Sequence, residues 1–172
     1  MRVKIVERDV MDPLAETGNY KINLNQIPPD FSRLTLLNNT KPGADIILEY
    51  LGEILEKKEI ILVNKPAGAP ASDHQLKKAS EGEIVILALG DCGSCSSWVI
   101  LDAIRLEKLG IPTISICSDS FSDFAHDLAG AHGAKNLNII CVEHPIAGTS
   151  DHEIHEKTMK IMPTLKKTLF ID

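Results

Sequence analysis

From residue 33 onward, short apolar runs alternate with segments of helical period, and this alternation constrains the fold more than any other feature of the chain. RLTLLNN (33–39), EIILVNK (59–65), EIVILALG (83–90), PTISICSD (112–119) and LNIICVEHP (137–145) read as strands. Between them PGADIILEYLGEILEKK (42–58), SDHQLKKAS (72–80), SSWVILDAIRLEKLG (96–110) and FSDFAHDLAGAHG (121–133) read as helices. Pro42 sits in a first turn, where its missing N–H is harmless, and Ile47, Leu51, Ile54 and Leu55 form an apolar stripe. Ser72 or Asp73 caps the second helix, and Gly110 ends the third. Asp102, Arg105 and Lys108 mark the expected wet side of that third helix. Strict strand–helix alternation implies a parallel sheet with right-handed crossovers. The expected fold is therefore α/β: a flavodoxin-like open parallel sheet in the order 2-1-3-4-5, with helices on both faces. The run at 83–90, apolar almost throughout, suits its centre.

Residues 1–32 fall outside the alternation and are expected to form an N-terminal arm or hairpin. Residues 33–150 form the α/β domain, and 151–172 a helical tail that Pro163 should kink or break. At 172 residues the chain can bury an ordinary core without disulfides. A net charge of −6 argues against nucleic-acid binding. No apolar run is long enough to span a membrane, and MRVKIVERDVMD has acids where a signal peptide needs its apolar region. A cytoplasmic protein is expected. The arm and the apolar tail suggest a homo-oligomer, a dimer or larger.

In such a sheet ligands bind beyond the carboxyl ends of the strands, where strand order reverses. That rule gathers Asn38, Asn39, Thr40 and Lys41, then Lys65, then GDCGSCSSW (90–98), then Ser118, Asp119 and Ser120, then Glu143 and His144 onto one edge. Cys92 and Cys95 stand in a C-x-x-C that opens a helix. There the unpaired N–H groups and the positive dipole end favour an anion such as a thiolate, and the thiol should ionise below its free pKa of about 8.5. Position alone leaves open which sulfur attacks. Gly93 permits a tight turn, and Ser94, Ser96 and Ser97 can cap the helix or donate to a bound group. Asp91 precedes the thiols, and Asp119 and Ser120 can orient a substrate or cap the next helix. His144, before Pro145, can serve as general acid or base beside a thiolate.

Other readings compete. The cysteines can be small core residues. A structural zinc would need two further ligands, and Cys117 and Cys141, inside strands, read as core. His152, His155 and Glu156 read as a solvated face and His126 and His132 as surface or packing residues. Neither a metal site nor a cofactor is expected. The expected partner is a small molecule, a carboxylate held by the Asn38–Thr40 loop and the helix N-termini.

The stretch GDCGSCSSWVILDAIRLEKLGIPTISIC, with LLNNTKPGADIILEYL and VEHPIAG, resembles the UGSC-type domain, named for a selenocysteine-Gly-Ser-Cys motif. The resemblance covers most of residues 33–148. It implies that Cys92, at the selenocysteine position, is the attacking thiol and Cys95 the resolving or assisting one. The function expected is thiol-dependent chemistry, redox or group transfer, on a small electrophile. A cofactor-free racemase or lyase with two cysteines, and a thiol- or metal-binding module, are the alternatives. A racemase needs thiols from separate segments, whereas these are adjacent.

Overall fold

The β-strands run side by side because their apolar residues point both ways and need cover on two faces. In the computed structural model, which describes residues 21–55 and 59–170, the strands are β1 (Arg33–Asn38), β2 (Glu59–Asn64), β3 (Ile84–Gly90), β4 (Thr113–Ser118) and β5 (Ile139–Val142). The helices are α1 (Ala44–Ile54), α2 (Asp73–Ala79), α3 (Gly93–Lys108), α4 (Ser122–Ala131) and α5 (Asp151–Thr168). A short 3-10 turn at Asp119–Phe121 leads into α4. All strand pairs are parallel, in the order β2-β1-β3-β4-β5. The protein is an α/β flavodoxin-like open sheet with helices on both faces, as the alternation implies.

Period-2 alternation sorts the core into two layers. Leu34, Leu36, Ile84, Ile86, Ile114 and Ile116 face α1 and α5. Leu37, Val63, Val85, Leu87 and Cys117 face α2, α3 and α4. Ser72 caps α2 in a capping box with Gln75, and Ser150 caps α5 in another with Glu153.

Two local expectations change. Helix α5 continues through Pro163 rather than breaking there. Its buried stripe of Ile154, Thr158, Ile161, Met162 and Leu165 is pinned to the core, while Pro163 and Met159 lie on the exposed side, where water can serve a freed carbonyl. The tail helix thus packs into the same layer as α1 and β5. Asp102 is not on the wet side of α3; it is fully buried, and so is the Lys65 side chain that pairs with it. Of the expected N-terminal arm, residues 1–20 lie outside the described residues. The remainder, 21–32, runs as irregular chain across the molecule. There Asn25 donates through its backbone N–H and its amide to the Glu107 carboxylate at 2.8 Å each, and Ile22 N–H donates to the Gly133 carbonyl at 2.9 Å. Phe31 is buried in the α1/α5 layer, and Ile22 and Leu24 pack on the other.

Candidate functional site

The pairing of β1 with β3 ends at Asn38↔Ala88, and β3 then shifts register between Ala88 and Gly90. The Asn39 side chain takes over where the ladder stops. Its Nδ2 donates to the Leu89 carbonyl and its Oδ1 accepts from Leu89 N–H, both at 2.8 Å. Such irregularities re-aim the residues that follow, and here those are Gly90, Asp91 and Cys92. At Gly90 an added Cβ would lie 2.6 Å from Cys117 Sγ and 2.8 Å from Ser96 Oγ, so only glycine lets α3 sit this close to the sheet.

Helix α3 begins at Gly93, earlier than the apolar pattern implies, because a cysteine caps it. Cys92 is the N-cap, with extended backbone, and its Sγ accepts the Cys95 N–H at 3.3 Å. N-cap and third helical residue face each other in capping geometry, which explains why a C-x-x-C at this point brings the two sulfurs together. Cys92 and Cys95 are disulfide-paired, with Cα atoms 5.4 Å apart. Cys95 is fully buried and Cys92 half-buried, and Cys95 Sγ receives the Asp91 N–H at 3.2 Å. Each sulfur therefore has its own backbone donor.

Asp91 joins this loop to the turn after β5. Its side chain is 1 % exposed, and Oδ1 lies 2.9 Å from His144 Nδ1. Oδ2 accepts from Ile146 N–H at 3.2 Å and Ala147 N–H at 2.8 Å. Burial works against ionisation of Asp91, but the Ala147 N–H, the Ser118 hydroxyl, His144 and the Ile146 N–H outweigh it and hold the carboxyl below its usual range. Ser118 Oγ also lies 3.1 Å from His144 Nδ1, and the His144 N–H donates to Asp119 Oδ1 at 3.1 Å. The Phe121 ring meets the imidazole edge-on with centroids 5.8 Å apart.

The expected residues thus divide by what they touch. Cys92, Cys95, Asp91, Ser118, Asp119 and His144 form one connected cluster at the carboxyl edge of β3, β4 and β5. Ser94 is exposed, with its hydroxyl 3.7 Å from Cys92 Sγ. Gly93 is exposed in the first turn of α3, has no positive φ and has open space where a Cβ would go, so the tight-turn argument does not apply to it. Ser97 back-bonds to the Gly93 carbonyl at 2.9 Å. Ser96 is fully buried, and its hydroxyl has no hydrogen-bond partner among the described residues. Ser120 is exposed on the 3-10 turn. In the loop after β1, Asn39 is buried and its amide is spent on Leu89, while Asn38 Oδ1 accepts the Thr40 N–H at 2.7 Å. Thr40 adopts a left-handed backbone and donates its hydroxyl to the Lys65 carbonyl at 3.0 Å.

Sequence reasoning did not find the roles of Asp91 and Ser118 as anchors of His144; the acid directly before the first cysteine was the available signal. It also missed the Lys65–Asp102 pair at 2.8 Å, which ties the loop after β2 to α3. Cys117 lies opposite Cys141 in the β4–β5 register, and burial pushes its thiol up to about 12, with Cys141 adding to the shift. Among the described residues no group of three His, Cys, Asp or Glu side chains is placed to hold a metal ion. His152 and Glu156 lie exposed at 4.0 Å, and His155 stacks on Tyr50. No helix of the described residues is long and apolar enough to cross a membrane.

No curated protein matches this chain. The family model described as the UGSC family matches residues 9–171, reaching past the 33–148 of the resemblance to include residues 9–32 and the tail helix. With its cysteine pair capping α3 and nearly all of its length inside that match, the chain belongs to the UGSC family.

Proposed function

We propose that the protein is a thiol-dependent enzyme in which Cys92 attacks a small electrophilic substrate, a carboxylate by preference, and Cys95 resolves the adduct. The observation that carries this reading is the placement of the two sulfurs: bonded partners at one helix N-terminus, the attacking one half-exposed and the resolving one sealed. A backbone N–H on each sulfur favours whichever carries the negative charge. In the redox branch the Cys92 thiolate attacks a sulfur electrophile, and the leaving group departs with its electron pair. The Cys95 thiolate then displaces the substrate thiolate, leaving the Cys92–Cys95 disulfide. A dithiol reductant returns the pair to the reduced state. In the group-transfer branch Cys92 holds the substrate as a thioester or thioether that a second nucleophile releases. His144, exposed enough to meet a ligand, moves the proton. The N–H groups opening α3 and the exposed Ser94 hydroxyl supply the anion contacts.

The test uses reduced protein incubated with small halogenated, nitro and thioester acids and read by intact mass. A substrate-derived mass should appear on Cys92, persist in Cys95→Ser and be absent from Cys92→Ala. A Cys92→Ala protein that keeps turnover, or a mass on another residue, overturns the reading.

A further inference from the structure

We propose that Asp91 is a positioning residue that fixes His144 as the Nδ1–H imidazole, leaving Nε2 to enter the thiol chemistry as a proton acceptor; this rests on the function proposed above. The Asp91 carboxylate accepts Ile146 N–H at 3.2 Å and Ala147 N–H at 2.8 Å, and its Oδ1 lies 2.9 Å from His144 Nδ1. An ionised carboxylate can only accept, so the proton of that last bond resides on Nδ1. Ser118 fits the same assignment. Its Oγ is 3.1 Å from Nδ1 and accepts a second branch of the same N–H, while its own hydrogen goes to Asp91 or to the Gly90 carbonyl at 3.4 Å. The His144 backbone is tied to Asp119 and the ring edge is held by Phe121. Nε2 takes part in none of these bonds. In the first step the proton of the Cys92 thiol, or of an acidic substrate group, passes to Nε2, and the electron pair stays on the group that loses it. The imidazolium then returns that proton to the leaving group, so the ring ends as it began.

Asp91→Asn separates positioning from bulk. The two backbone N–H groups on Oδ2 claim the single amide oxygen, and the NH2 then faces Nδ1 and turns it into an acceptor. Long-range 1H–15N spectra of the reduced full-length protein, read on the neutral ring, should show His144 as the Nδ1–H tautomer in wild type and as Nε2–H in Asp91→Asn. Iodoacetamide labelling of Cys92 should fall by at least ~10-fold in the variant, with unchanged far-UV circular dichroism. A wild-type Nε2–H tautomer overturns the proposal, whether or not the variant folds. So does a variant that keeps both the tautomer and the labelling rate. Failure of the thiol reading looks different: Cys92 then goes unlabelled in wild type while the tautomer stands as assigned.

Discussion

Replacing Asp102 by alanine should lower the unfolding free energy by about 3–5 kcal/mol, the figure for stranding one partner of a buried ion pair. Asp102 and Lys65 side chains are both 0 % exposed, with Nζ and Oδ2 2.8 Å apart. The same carboxylate accepts from Ala71 N–H at 2.9 Å and from the Arg105 guanidinium at 3.1 Å. With Asp102 gone, the Lys65 ammonium retains the Ala69 carbonyl at 2.6 Å but no counter-charge among its described partners. Because most of the loss is an unpaired buried charge, Asp102→Leu with Lys65→Met should lose much less than the sum of the two single changes. Urea unfolding of the four proteins of this cycle measures the coupling. A single Asp102→Ala change costing under about 1 kcal/mol would show that the charge finds water.

Asp91→Ala should destabilise by about 3 kcal/mol at neutral pH, since it strands the Ile146 and Ala147 N–H groups and removes charge-assisted bonds. The pH dependence has a definite sign. The folded carboxyl ionises below the unfolded value of about 3.9, so its contribution is complete above that value and disappears as pH falls through the lower folded one. The gap between wild type and Asp91→Ala in urea midpoints should thus be at full size above about pH 4 and shrink as pH falls below it. Exposed Glu83, Glu143 and Glu153 are also held low, but they are shared by both proteins and cancel in the comparison. A gap that stays constant into acid would assign the loss to packing rather than to the ionised carboxylate.

These two residues also mark the limit of what the sequence makes legible. Strands and helices follow from periodicity over a few residues, so β1 to β5, their order and the edge where loops gather can all be read from the chain. The C-x-x-C at a helix start is equally local, and capping explains why the helix begins at Gly93 rather than at Ser96. Asp91 meets His144 across 53 residues and Asp102 meets Ala71 across 31, and no local pattern encodes such pairings. A charged residue on a helix is assigned to water by default; Asp102 escapes that rule only because Lys65 arrives from the loop after β2. Asn39 is similar: its position beside the thiol loop is legible, but its use as a substitute for a missing ladder pair depends on the register shift in β3.

The most direct measurement of the central claim is the rate of iodoacetamide labelling of the fully reduced native protein against pH, with each label located by peptide mass. The account predicts one fast label, on Cys92, with an inflection below the ~8.5 of a free thiol, while Cys117, pushed up to about 12 by burial, stays unmodified. Labelling that begins elsewhere, or a Cys92 rate that inflects at or above the free-thiol value, would contradict it.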